Sequence, residues 1–282
     1  MKIGASYWMF EGGLEAKRPI VEAMREAKEL GFDGIELAIA SQGVLTDSTT
    51  KAQCEDIVAA ADDLGIEISS VASGESWGCS PTANDPDTRK RIIDFTRKAL
   101  HVTNWLGTDA YLFVPGAVDV FFLPDAEVIP YDLCYERASE AVKQLIPVAE
   151  ETSVAICIEN VWNKFLLSPL EMRSFVDSFE SELVRVYFDV GNVLLTGYPD
   201  QWIRILGERI KRVHVKDFKC SVGTADGFVD LLKGDVDFAA VKDALADVGY
   251  EGYVTAEMLP FEPGRPEKTA RAMKEIFTSF ES

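Results

Sequence analysis

IKRVHVKDF, residues Ile210 to Phe218, alternates strictly: Val213 and Val215 fall on one side of a two-residue period, and Arg212, His214 and Lys216 on the other. A strand with this pattern has one apolar face and one polar face, and the polar face is either a site or a solvated edge. Three further stretches decide between these. In VAICIEN, Val154 to Asn160, the apolar side is Val154, Ile156 and Ile158, and the other side is Ala155, Cys157 and Glu159. In VRVYFDV, Val184 to Val190, Val184, Val186 and Phe188 oppose Arg185, Tyr187 and Asp189. In YVTAEML, Tyr253 to Leu259, Val254, Ala256 and Met258 oppose Tyr253, Thr255 and Glu257. Four consecutive candidate strands thus end in a metal-capable residue on the more polar side: Glu159, Asp189, His214 and Glu257. A register shared by four strands points to one common centre.

The rest of the chain supplies the frame. Strand-like runs at Lys2–Trp8, Asp33–Ile39, Glu67–Ala72 and Asp109–Val114 precede the four above. Helix-like runs alternate with them: Glu15–Leu30, Thr50–Leu64 with Ser48 or Thr49 as its cap, Asp87–Leu106, Tyr131–Glu151, one opening at Ser168-Pro169, Pro199–Gly207, Phe238–Val248 and Pro266–Phe280. Glycines at 31, 65, 107 and 249 stand where several of them stop. Eight strand–helix units predict an α/β protein, a closed (β/α)8 TIM barrel in a single domain over residues 1–282. An open doubly wound sheet is the weaker alternative, because no G-x-G-x-x-G follows the first strand. Two long loops stand out. The one before Tyr131 is predicted to cover the barrel mouth; the other runs from Lys219 to Asp235.

Composition narrows the partners. A net charge of −19 repels phosphate backbones and anionic lipid, which argues against nucleic acid or membrane and for a small neutral or chelating substrate. Five scattered cysteines without a C-x-x-C indicate reduced thiols. With no signal-like start and no apolar run of spanning length, a soluble cytoplasmic protein is expected.

In a barrel, strand C-terminal ends converge on one mouth, so Glu159, Asp189, His214 and Glu257 would share a small volume. Three carboxylates so close repel one another, and one divalent cation is the simplest way to keep them ionised. Oxygen-rich ligation with one imidazole favours Mn²⁺, with Mg²⁺, Co²⁺ and Zn²⁺ as alternatives. Taken singly, a strand-end carboxylate is more often a cap or an ion-pair partner; the shared register is what outweighs that. Glu36 also has inward parity and reads as a buried carboxylate paired with a base such as Arg212. His101 reads as a surface residue. Trp8, Trp77 and Phe113 are candidate walls of a sugar pocket, although core packing is the commoner role of an aromatic side chain. Lys216, Lys219, Lys233 and Arg265 lie in or beside mouth loops and are candidate phosphate contacts.

The runs IEN at 158–160, FDVGN at 188–192, HVKD at 214–217 and AEM at 256–258 resemble those of the xylose isomerase-like barrels, a family of sugar-phosphate isomerases and epimerases, ketose 3-epimerases, inosose isomerases and dehydratases, and endonuclease IV. The resemblance spans the chain. It implies that the four residues hold one divalent metal and that Glu159 and Glu257 also exchange protons with a ketose or ketose phosphate through a metal-stabilised enediolate, with a homodimer or tetramer as the assembly. Two positions depart from the epimerase pattern: Asn192 stands where a histidine is usual, and Cys220 where an arginine is usual. Asn192 and Lys216 join Trp8 and Trp77 as substrate-binding candidates. The alternatives are a lyase of the same family, either an inosose dehydratase or a C-glycoside-cleaving enzyme, and a non-catalytic metal- or sugar-binding subunit. Endonuclease IV needs further histidines, and this chain has two in all.

Overall fold

The two sides of each alternating strand meet two different environments. The computed structural model describes residues 1–120, 122–123 and 126–278. Among these, eight strands form a closed ring: β1 Lys2–Ser6, β2 Gly34–Ala38, β3 Glu67–Ala72, β4 Ala110–Phe113, β5 Ala155–Glu159, β6 Val184–Asp189, β7 Ile210–Val215 and β8 Tyr253–Ala256. Every neighbouring pair is parallel, and β8 closes on β1. Eight helices surround it: α1 Ile20–Leu30, α2 Lys51–Leu64, α3 Pro86–Trp105, α4 Tyr131–Thr152, α5 Pro169–Asp177, α6 Pro199–Leu206, α7 Phe238–Asp247 and α8 Arg265–Phe277. This is the expected (β/α)8 barrel.

The apolar sides face outward under the helices. Ile156, Ile158, Val186, Phe188, Val213, Val215 and Val254 join Val142 and Leu145 of α4, Met172 and Phe175 of α5, and Ile203 of α6 in one core. Each such fully buried side chain contributes about 1.5–3 kcal/mol. The ring is therefore held from outside, and its inner side is free to be polar. Inside, Ala72, Ala110, Leu112, Ala155, Cys157 and Tyr187 form a smaller cluster below the mouth.

Arg212 lies lower still, and it does not pair with Glu36 as expected. Its Nε donates to the Ser69 carbonyl at 2.8 Å and its Nη2 to Asp109 Oδ1 at 2.7 Å, while Lys211 Nζ reaches Asp109 Oδ2 at 2.6 Å. Arg212 shares the inward parity of His214 but sits two residues earlier, a full layer down, and Glu36 lies at the level of His214. Burial would raise the Asp109 carboxyl, but Lys211 and Arg212 outweigh it and hold it below the usual range. A depressed folded-state value adds stability above the unfolded value, about 4, and loses it as pH falls through the folded one. Asp109→Asn is therefore expected to cost up to about 1 kcal/mol at pH 7. Thermal unfolding across pH checks this: the gap from wild type should close below about pH 4, and a gap that widened in acid would contradict it.

Several ends move by a residue or more. Helix α1 starts at Ile20 after Pro19, not at Glu15. The cap of α2 is Thr50 in a capping box with Gln53, not Ser48 or Thr49; the Thr49 hydroxyl instead accepts from the Thr46 N–H. Strand β1 stops at Ser6, where Tyr7–Met9 form a 3-10 turn. Strand β7 stops at Val215, and Asp217–Phe218 pair antiparallel with Phe228–Val229 in a small ribbon that occupies the Lys219–Asp235 loop. Helix α8 is assigned to Phe277, and the expected extension over 279–280 lies outside the described residues. His101 is half-buried on α3 beside Trp105.

Candidate metal centre

Register brings the four strand ends to one level. Asp189 is paired with His214 across β6 and β7, and Thr255, two residues before Glu257, with His214 across β7 and β8. Glu159 ends β5, beside Tyr187 of β6. One donor atom from each of Glu159, Asp189, His214 and Glu257 lies within 4.8 Å of the others, and all four residues are buried. His214 Nδ1 is 3.2 Å from Glu159 Oε1 and 3.4 Å from Glu257 Oε2.

The other imidazole nitrogen is held from behind. His214 Nε2 lies 2.9 Å from Glu36 Oε1, and Glu36 Oε2 accepts from the Tyr187 hydroxyl at 2.5 Å and the Ser70 hydroxyl at 3.0 Å. With Nε2–H given to Glu36, Nδ1 points at the three carboxylates; a cation bound there would take the place of the Nδ1 proton and meet its lone pair, the orientation a metal-binding histidine needs. Glu36 thus supports His214, a role that its own inward parity signalled but that pairing across the barrel, invisible in the sequence, had to reveal.

Asn160, the last residue of IEN, fixes the neighbouring strand end. Its side chain accepts from Asp189 N–H at 2.9 Å and donates to the Asp189 carbonyl at 2.8 Å. Asn192 N–H donates to Asp189 Oδ1 at 2.8 Å, and its amide donates to the Asn160 carbonyl at 3.0 Å. The glycine of FDVGN is required by close approach: a Cβ on Gly191 would stand 2.7 Å from Lys216 Cβ. Lys216 can therefore lean in, its Nζ 3.0 Å from Asp189 Oδ2 and in ion-pair contact with Glu257 Oε2.

Charge governs the centre. Burial pushes the Glu159 carboxyl up to about 7, and the Glu257 charge adds to this against the bond from His214. Burial would lower His214, but Glu36, Glu257 and Glu159 hold it well above its ordinary value. Asp189 Oδ2 and Glu257 Oε2 are buried, and the contact each has with the Lys216 ammonium is an ion pair. Buried acceptors left in this way are costly, and a divalent ion shared by three carboxylates and one imidazole would satisfy both. The donor set fits such an ion.

Above the cluster lies a cavity of about 810 Å³, within the range of small-molecule sites. Trp8, Trp77, Asn192 and Lys216 all line it, together with Glu159 and Glu257. Phe113 does not; it is buried in the outer core. Arg265 lines the cavity too, whereas Lys219 and Lys233 are exposed and are not among its walls. Cys220 is also exposed and outside it. The loop before α4 reaches the cavity through Phe122, packed edge-on to Trp77 at 5.1 Å, while residues 121, 124 and 125 lie outside the described residues. Sequence reasoning missed Trp162, which lines the cavity and donates from Nε1 to the Asn192 carbonyl at 2.8 Å. Nothing in its loop distinguished it.

What the strand ends assemble is a metal-capable barrel, a class in which ligands from several strands meet at the C-terminal mouth. The chain belongs to the xylose isomerase-like TIM barrel family, whose sequence profile matches residues 24–278. It is 26% identical over 262 residues to a D-psicose 3-epimerase of Ruminiclostridium cellulolyticum, covering 91% of this chain and 83% of the relative. An L-ribulose-5-phosphate 3-epimerase of Salmonella paratyphi A is 22% identical over 265 residues, 89% of this chain and 86% of the relative. The crystal structure of a D-psicose 3-epimerase from Clostridium cellulolyticum H10 with D-tagatose superposes with a TM-score of 0.77 at 20% identity, over 98% of each chain. That likeness extends the fold correspondence over nearly the whole chain. Among the described residues no helix is long and apolar enough to cross a membrane.

Proposed function

We propose that the protein is a divalent-metal-dependent ketose 3-epimerase in which Glu159 and Glu257 move the proton. The observation that carries this reading is the pair of buried glutamates contributed by opposite edges of the four-strand cluster, both lining the cavity and both in contact with His214 Nδ1. Two carboxylates on two sides of one carbon can remove a proton from one face and return it on the other, which inverts that carbon. The naming of relatives as ketose 3-epimerases supports the same chemistry.

In this reading Glu159, Asp189, His214 and Glu257 would hold the cation, with Mn²⁺ favoured. When bound, it supplies electrophilic stabilisation of the negative charge that builds on the substrate oxygens as the proton leaves carbon. Glu36 keeps the Nδ1 lone pair of His214 directed at the centre. Lys216 offsets charge beside Asp189 and Glu257 and lies where it can donate to a substrate oxygen. Trp8 and Trp77 give the sugar apolar walls that exclude water, and Asn192 sits at the cavity edge. The cysteines, free among the described residues, fit a reducing compartment, and we place the protein in the cytoplasm as a homodimer or tetramer.

Incubation of Mn²⁺-loaded protein with free ketoses in D₂O tests the proposal. The expected outcome is a C3 epimer of unchanged connectivity carrying solvent deuterium at C3. An epimer formed with no solvent label, or a dehydrated product, would contradict proton exchange through the two glutamates.

A further inference from the structure

We infer that the cavity is built for uncharged ketoses and rejects ketose phosphates, a refinement that rests on the epimerase reading and names its substrate class. Family membership does not decide this, since the relatives include one named for a free ketose and one named for a ketose phosphate. The cations of the cavity do. Among the described residues its walls hold two, Lys216 and Arg265.

Both are already engaged. The Lys216 ammonium lies against Asp189 and Glu257 at the reacting end. Even with a divalent ion present, the carboxylates of Glu36, Glu159, Asp189 and Glu257 exceed the ion and this ammonium by one charge, so Lys216 is needed where it is. Arg265 has its charge matched by two carboxylates and an acceptor on each nitrogen: Nε meets Asp230 Oδ1 at 3.0 Å, Nη2 meets Glu262 Oε1 at 2.8 Å and Nη1 donates to the Pro260 carbonyl at 2.5 Å. The remaining charged walls, Glu75, Asp217, Asp226 and Glu262, are acidic. Residues 121, 124 and 125 of the nearby loop are Phe, Pro and Asp, so the sequence adds no cation there.

The described loops after β7 and β8 offer no backbone cradle either. Barrel enzymes commonly bind phosphate on N–H groups of the loops after the seventh and eighth strands and at a helix N-terminus nearby. Here the Asp217 carboxylate already takes the N–H groups of Phe218 at 2.9 Å, Lys233 at 3.1 Å, Gly234 at 2.8 Å and Val236 at 3.2 Å. A Cβ on Gly234 would stand 2.2 Å from Asp217 Oδ1, so this internal anion fills the loop's hollow. After β8, helix α8 opens with Pro in its first turn, which removes a donor, and with Glu267, which repels an anion. A phosphate ester entering this mouth would lose its hydration to carboxylates, and among the described walls both cations are already paired.

The test pairs each free ketose with its phosphate, D-fructose with D-fructose 6-phosphate and D-ribulose with D-ribulose 5-phosphate. Equilibrium binding to the Mn²⁺-loaded protein and turnover are both read. Each phosphate is expected to bind at least about ten-fold more weakly than its parent, the size of one partly screened like-charge contact. Glu262→Gln, which removes the negative charge paired with Arg265 Nη2, is expected to narrow that ratio. Equal or tighter binding of the phosphates would overturn the inference and leave the epimerase reading standing. Absence of turnover on every ketose would sink the epimerase reading, while the binding ratios would still decide selectivity. Failure of both members of each pair to bind would overturn both.

Discussion

Glu159→Gln and Glu257→Gln are each expected to lower kcat for epimerisation by about 10²- to 10⁴-fold, the usual worth of a positioned acid or base. The substitution keeps shape and an oxygen donor but removes the proton-accepting charge. Because it also removes one of several carboxylates buried together, it should not unfold the protein: Glu159, raised by burial and by Glu257, gains little from its charge in the fold. The two variants should differ in a way that a mere folding defect would not produce. With one base missing, the remaining glutamate still exchanges the C3 proton of the epimer whose C–H faces it, but cannot deliver a proton to the other side. Each variant should therefore wash label out of one epimer and not the other, with opposite choices in the two. If either variant epimerises at the parental rate, that residue is not a base.

The second large effect is on metal. A cation that binds the folded state at a hundred times its Kd adds about 2.7 kcal/mol, which for a domain of this size raises Tm by roughly 5 °C. Addition of Mn²⁺ to chelator-stripped protein is expected to give a rise of that order and to restore activity. Asp189→Asn should abolish both, because Asp189 Oδ2 is, among the described residues, one of two buried carboxylate oxygens that make no hydrogen bond within the protein. Glu36→Gln should weaken binding by about 10- to 100-fold without removing a ligand, through loss of the charge that orients His214. A Tm rise that survives Asp189→Asn would place the metal elsewhere.

Much of this could be read from the residues because parity is local. Alternation within Val184–Asp189 or Ile210–Val215 already separates the side that packs under helices from the side that faces the barrel axis. Four metal-capable residues on the inward side then had to converge once the ring closed. Contacts across the ring were not legible. Glu36 and His214 are 178 positions apart, and their meeting depends on the stagger of β2 against β7, which no local pattern encodes. The same stagger sends Arg212 to Asp109 at the floor, where parity alone had suggested Glu36. Loop chemistry was also hidden: Asp217 in HVKD looks like one more acidic site residue, yet its carboxylate is used up in holding the loop that follows. Helix starts were misplaced where polar residues competed, as Thr49 and Thr50 did before α2.

In the proposed enzyme, side chains from β5, β6, β7 and the end of β8 hold one catalytic cation at the mouth of the barrel. Anomalous diffraction at the manganese edge from Mn²⁺-soaked crystals addresses it directly. One strong peak within bonding distance of Glu159, Asp189, His214 Nδ1 and Glu257 is the predicted result. A peak at another place, or crystals saturated with Mn²⁺ that show none at this cluster, would contradict the account.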